Sequence, residues 1–191
     1  MNGAYDRISD LEKIPDTIFE RGVGISELDF SNSVAIVGSR NVSESGLSAA
    51  YNLGKEVAEN GGIVISGLAL GIDSAAFEGA LSSSGICVAV LPSGLDSIIP
   101  KSNRPLAEKI VKTGGSLISE YPEGTTPRKY TFIQRNRIIA ALSDTVVLCE
   151  ARPDGGAWHT VRFAWGMGRE TLLLGEDGIK QPLEDPQRRL F

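Results

Sequence analysis

The chain has 191 residues, 41% hydrophobic and 23% charged, which is enough for one domain with a full hydrophobic core. Its formal net charge of −5 and pI near 5.0 exclude a protein that coats nucleic acid by bulk charge, so any nucleic-acid site must rest on a local group of basic residues. The two cysteines lie in apolar runs without metal-ligand spacing, no apolar run reaches the ~18 residues of a membrane span, and the N-terminus lacks the basic-then-apolar layout of a signal peptide. These features predict reduced buried thiols and a cytoplasmic protein with no metal, cofactor or membrane partner.

Residues 1–30 are polar and read as a lead-in, with a short helix over 8–13 that Pro15 ends. From Val34 a regular cycle begins. Residues 34–37 form a short apolar run that stops at Gly38, as a buried strand does. Ser43 is placed to cap a helix to Glu59, with Leu47, Ala50, Leu53 and Val57 on one face, and Gly61-Gly62 closes it. A strand over 63–65 follows, then a helix capped by Asp73 and running to Leu81, and a strand over 86–91. A helix over 104–113 ends at Gly114-Gly115, and a strand begins at Leu117. A loop rich in Pro, Gly and Thr spans 120–131, before a helix over 134–142 and a strand over 145–149. The last helix is expected over 156–168 and the last strand over 171–174. The tail after Gly175 carries charge and proline and reads as a loosely packed end.

Apolar strands alternating with helices predict an α/β domain over 31–175, with a tail over 176–191. Its architecture is a three-layer, Rossmann-like, doubly wound and mostly parallel sheet. Such sheets place ligands at the carboxyl ends of their strands, so the residues just after each strand are the candidates for chemistry. After the first strand, Gly38-Ser39-Arg40 offers a close turn, a hydroxyl and a forked cation suited to phosphate. After the second, Ser66 and Gly67 lead to Gly71 at a helix start, which opens amides to an anion. An acid there, Asp73, repels a phosphate placed too near it.

The third strand leads to Lys101 and Asn103 on a turn. The fourth leads to Phe132, able to stack a base, and to Arg135, Asn136 and Arg137, donors for phosphates and base edges. The fifth leads to a second glycine-rich helix start, Gly155-Gly156, with Thr160 one turn on. One glycine-rich turn alone is usually structural punctuation. Several at successive strand ends, with Arg40, Lys101, Arg135 and Arg137 among them, converge on one rim as a basic site on an acidic protein.

The ordered blocks Val-Ala-Ile-Val-Gly38-Ser39-Arg40, Ser66-Gly67-Leu-Ala-Leu-Gly71-Ile-Asp73, Val-Leu-Pro-Ser-Gly94-Leu-Asp, Pro100-Lys101-Ser-Asn103, Ser119-Glu120-Tyr-Pro and Phe132-Ile-Gln-Arg135-Asn136-Arg137 resemble the central domain of the DprA/Smf (DNA-processing protein A) family. The resemblance runs from about Val34 to Leu174. It implies a Rossmann-like fold that binds single-stranded DNA without catalysis, a RecA-type recombinase as partner, and a homodimer. It also implies that Arg40, Lys101, Phe132, Arg135, Asn136 and Arg137 contact DNA, with Ser39, Ser66 and Gly67 lining a phosphate pocket. Two departures stand out. Where the family has His after the alanine that follows Gly-Ile-Asp, this chain reads Ser74-Ala75-Ala76-Phe77. The family's hydroxyl-rich turn near the fifth strand is replaced by Gly155-Gly156-Ala157 and Thr160-Val161. The helical and winged-helix domains that flank this domain in many members are expected to be absent.

The alternative is a nucleotide-binding sensor domain of the wider superfamily that includes lysine-decarboxylase-like phosphoribohydrolases. The stretch Pro153-Asp154-Gly155-Gly156-Ala157-Trp158-His159-Thr160 departs from their motif in spacing, and Phe163 stands where the catalytic acid would be. No general acid/base partner is then evident. His159, Glu120 and Glu150 read as packing, loop or cap residues, and Trp158 and Trp165 share one helix face.

Overall fold

The computed structural model describes residues 3–186. The chain runs through α1 (Ala4–Ser9), β1 (Phe19–Gly22), β2 (Ser33–Gly38), α2 (Glu44–Glu59), β3 (Ile63–Ser66), α3 (Ile72–Ser82) and β4 (Ile86–Val90). It continues through α4 (Arg104–Lys112), β5 (Ser116–Ser119), α5 (Lys129–Leu142), β6 (Thr145–Cys149), α6 (Ala157–Gly166), β7 (Glu170–Leu174) and β8 (Lys180–Pro182). The sheet order is β1-β5-β4-β3-β2-β6-β7-β8. The six inner strands are parallel, while β1 pairs antiparallel with β5 and β8 antiparallel with β7. This is the doubly wound, mostly parallel sheet that the sequence predicts.

Strand periodicity builds two cores on opposite faces. Ile36 and Val64 face a layer containing Leu53, Val57, Phe77 and Ile110, supplied by α2, α3 and α4. Their neighbours Ala35, Val37 and Ile65 face Ile138, Ile139 and Val161 of α5 and α6. Strand order reverses between β2 and β6, because α2 to α4 carry the chain one way and α5 brings it back. Such a switch point opens a crevice at the strands' carboxyl ends.

Four expected boundaries move, each for a physical reason. The first helix covers Ala4–Ser9 rather than 8–13, and residues 3–30 also supply an edge strand. In that segment Ala4, Ile8, Leu11, Ile25 and Phe30 are buried against α5 and its neighbours. Each large apolar side chain among them contributes roughly 1.5–3 kcal/mol by leaving water. Arg7 anchors the segment, donating to the carbonyls of Phe30 and Leu142 and pairing with Asp144 at 2.9 Å. Next, α3 begins at Ile72 behind Gly71, so Asp73 lies inside the first turn and does not cap it.

The third shift is in α5, which starts at Lys129, five residues before the expected 134. The Thr131 hydroxyl accepts the Arg128 N–H there and closes the first turn of what read as loop. Last, the chain after Gly175 returns as β8, and Leu183 accepts the Trp165 indole N–H at 3.1 Å. Cys87 and Cys149 are buried free thiols, and burial pushes both up to about 12. Among the described residues, no helix is long and apolar enough to cross a membrane.

Candidate functional site

The switch-point crevice is shaped by two loops locked into each other. Leaving β2, the Ser39 N–H donates to the Glu150 carbonyl at 3.2 Å, which ties the ends of β2 and β6. The Ser39 carbonyl accepts the Ile72 N–H at 3.2 Å and so docks the start of α3. Gly71 sits at φ +79°, and a Cβ there would lie 2.4 Å from the Ser39 oxygen, so only glycine fits this crossing. Inside the second loop, one oxygen of Asp73 accepts the N–H groups of Gly67 (3.1 Å) and Ala69 (3.2 Å). Between them, Leu68 takes a left-handed conformation with its side chain buried. The Asp73 carboxyl is itself buried, and that burial pushes its pKa above 3.8 against the pull of Arg135 and the two amides.

Helix α5 supplies the opposite wall. Arg135 is buried and donates through Nε to Asn136 Oδ1 (2.9 Å) and through Nη1 to the carbonyls of Gly67 (2.8 Å) and Val90. Burial lowers Arg135 to about 10, Asp73 works against that shift and Arg40 adds to it; the guanidinium remains a cation at neutral pH. A Cβ at Gly67 would stand 2.0 Å from Arg135 Nη2, so the glycine is the space the arginine occupies. Asn136 donates to the Gly156 carbonyl at 3.2 Å and joins α5 to the start of α6. At the mouth, the exposed Arg40 guanidinium lies 5.1 Å from the centroid of the half-buried Phe132 ring, a cation–π contact. The pocket enclosed here has a volume of about 90 Å³, and Arg40, Asp73, Phe132, Arg135, Asn136 and Thr160 are among its lining residues.

The structure therefore brings together Arg40, Phe132, Arg135, Asn136, Gly156 and Thr160 of the expected set. Gly38, Ser39, Ser66, Gly67 and Gly71 lie behind them as loop framework. Ser66 is buried and donates to the Ile36 carbonyl at 2.6 Å, and a Cβ at Gly38 would collide with the Cys149 carbonyl. Gly155 donates to the Arg152 carbonyl in the turn before α6. Lys101 is exposed on a 3-10 turn at the same strand-end edge of the sheet, outside the pocket lining.

Two expected contact residues face elsewhere. Asn103 is buried and donates to the Leu68 carbonyl and to Ser74 Oγ, both at 2.9 Å, pinning the second loop to the turn before α4. Arg137 is buried in an ion pair with Glu120, just past β5. Glu150 accepts the backbone N–H and hydroxyl of Ser43, the N-cap of α2. Both carboxylates that could have formed an acid/base couple thus hold structural partners.

Sequence reasoning misread one residue and passed over two. Asp73 read as a helix cap that repels a nearby phosphate, and the structure places it in the pocket wall and not at the cap. Arg128 and Lys129 are exposed at the start of α5, four and three residues before Phe132 and so on its side of the helix. Their signal was the basic pair itself, hidden because the segment was read as loop.

The model of the family described as DNA recombination-mediator protein A matches residues 4–188. Protein Smf of Escherichia coli is 40% identical over 156 residues, which cover 80% of this chain and 42% of that protein. The chain spans 35% of the length of protein Smf from Synechocystis and 58% of DNA processing protein DprA from Streptococcus pneumoniae, and so matches only part of each. The crystal structure of DNA processing protein A from Streptococcus pneumoniae superposes with a TM-score of 0.80 at 34% identity, covering 88% of this chain and 58% of that one. DNA processing protein A from Helicobacter pylori, described for its unique single-stranded DNA binding mode, superposes at 0.78 and 29% identity, covering 98% and 82%. With its doubly wound sheet, its switch-point pocket and a family model matched almost end to end, the chain belongs to the DNA recombination-mediator protein A (DprA/Smf) family.

Proposed function

We propose that this protein binds single-stranded DNA along the strand-end rim and acts there as a recombination mediator rather than a catalyst. The observation that carries the reading is the contact of Arg40 with Phe132 above the buried Arg135. That arrangement lays a guanidinium over an aromatic ring at the mouth of a cationic pocket. A flexible strand offers both matching groups, a phosphate for the guanidinium and an unstacked base for the ring. Lys101, Arg128 and Lys129 extend the positive rim for neighbouring phosphates. The likeness to the Helicobacter pylori protein supports the same choice of ligand. A RecA-type recombinase receiving the bound strand, and a homodimer presenting two rims, complete the proposal.

A nucleotide-sensing role fits less well. Pockets for small organic ligands usually enclose about 300–1,000 Å³, against about 90 Å³ here. That space suits one phosphate group better than a whole nucleotide. The test is a comparison of single-stranded oligonucleotide, duplex of the same sequence, and a mononucleotide panel by fluorescence anisotropy and competition. The proposal expects the single strand to bind tightest by at least about tenfold, a gap of about 1.4 kcal/mol. Tight mononucleotide binding without oligonucleotide binding would overturn it.

A further inference from the structure

The phosphate pocket carries an acid in its wall. Asp73 lines it together with Arg40 and Arg135, so the three ionisable side chains among its lining residues amount to two positive charges and one negative. Asp73 is buried, only 6% exposed, and cannot swing into solvent, because its Oδ2 is gripped by the amides of Gly67 and Ala69. Those are two of the N–H groups that a glycine-rich loop would otherwise turn toward an anion. The fold has thus answered its own anion nest with a fixed carboxylate that shares the pocket wall with Arg135. At pH above the raised pKa of Asp73, where the carboxyl is ionised, the pocket's net charge is +1.

We infer that Asp73 is a specificity-determining residue that makes the pocket accept an internal phosphodiester and reject a terminal phosphate monoester. The inference rests on the single-stranded DNA reading and refines it. A phosphodiester carries one negative charge and neutralises the pocket. A terminal phosphate carries about −1.5 to −2 at pH 7, so it leaves excess negative charge beside a buried carboxylate in a medium where Coulomb forces are weakly screened. Strand interiors are then held in preference to phosphorylated ends and to free nucleotides. A phosphodiester has no proton to donate to the Asp73 carboxylate. Selection acts through charge, not through a hydrogen bond.

The experiment uses the full chain with a fluorescent oligothymidylate bound, and competes it with two small ligands. One is thymidine 5′-phosphate and the other is its 5′-methyl phosphodiester, which shares base and sugar and carries one negative charge. The wild-type protein is expected to prefer the methyl diester by about tenfold, the size of effect that one extra charge near a partly buried site produces. In Asp73→Asn, whose amide oxygen can still accept the Gly67 and Ala69 N–H groups, the preference is expected to vanish or reverse. Equal competition by the two ligands in the wild type overturns the inference while leaving oligonucleotide binding intact. A preference that survives unchanged in Asp73→Asn overturns the assignment to this residue. Failure of the wild-type protein to bind the oligonucleotide at all removes the underlying DNA reading, and this inference with it. The wild-type comparison stands by itself if the variant does not fold.

Discussion

Arg135 and Arg137 stand two residues apart on α5, are equally buried, and do different things. Two residues is about 200° around a helix, so they leave opposite sides of it. Arg135 turns to the switch point, holds the carbonyls of Gly67 and Val90, and lines the pocket with Arg40. Arg137 turns to the end of β5 and pairs with Glu120. Arg137 Nε and Nη1 and Glu120 Oε1 find no hydrogen-bond partner among the described residues. The difference teaches that a cation's residue type and spacing do not assign its role; the partner at the far end of the side chain does. Arg135 shapes the switch-point pocket, whereas Arg137 fastens helix to sheet.

The largest effect should fall on the fastening arginine. Arg137→Ala leaves Glu120 buried without its countercharge, and such a loss costs about 3–5 kcal/mol. Urea unfolding should show that drop, while the folded fraction keeps its affinity for single-stranded DNA. Replacing both partners by leucine should recover much of the stability, because a poorly satisfied buried pair contributes little net energy. A sharp loss of DNA affinity in folded Arg137→Ala would erase the contrast between the two arginines.

Phe132→Ala sits on the other side of the comparison. It should weaken single-strand binding by about 1–3 kcal/mol, or roughly 5- to 150-fold, if a base stacks on the ring. Its effect on unfolding should be smaller than that of Arg137→Ala, since the ring is only half-buried at the mouth. Titration measured by anisotropy checks the first part and urea unfolding the second.

A smaller and more diagnostic effect concerns pH. Burial raises the Asp73 carboxyl above its ordinary 3.8. As pH climbs from 3.8 through the folded-state value, the folded chain holds more protons at this site than the unfolded chain. The contribution of Asp73 to stability therefore falls across that window and is flat above it. Asp73→Asn lacks the titration, so its stability relative to wild type should improve as pH rises through the window. Parallel stability curves for the two proteins from pH 4 to 8 would show that burial does not govern this carboxyl.

Much of the fold was legible because parallel strands buried on both faces read as unbroken apolar runs, as in 34–37 and 145–149. The glycines between them marked the helix ends. The edge strands were not legible. β1 and β8 are short, half-exposed or exposed, and defined by pairing to β5 and β7 rather than by composition. In the site, Arg40 and Phe132 could be placed at the rim from their positions after a strand, but the direction of each α5 side chain could not. The start of α5 was hidden by a run of Pro, Arg, Lys, Tyr and Thr with no apolar period. That five-residue error put Arg135 at a helix start instead of nearly two turns inside. Asp73 was misplaced for a related reason: acids near a helix start usually cap it, whereas this one caps the loop before it.

The most direct test of the account is the salt dependence of single-stranded DNA affinity in the wild type and in Arg40→Ala. Arg40 is exposed, so its loss should leave stability within about 0.5 kcal/mol. For single strands, log affinity falls against log salt by about 0.7 per phosphate contact. Arg40→Ala should lower affinity and reduce that slope by about 0.7. An unchanged affinity with an unchanged slope would contradict it, because the guanidinium at the pocket mouth would then touch no phosphate.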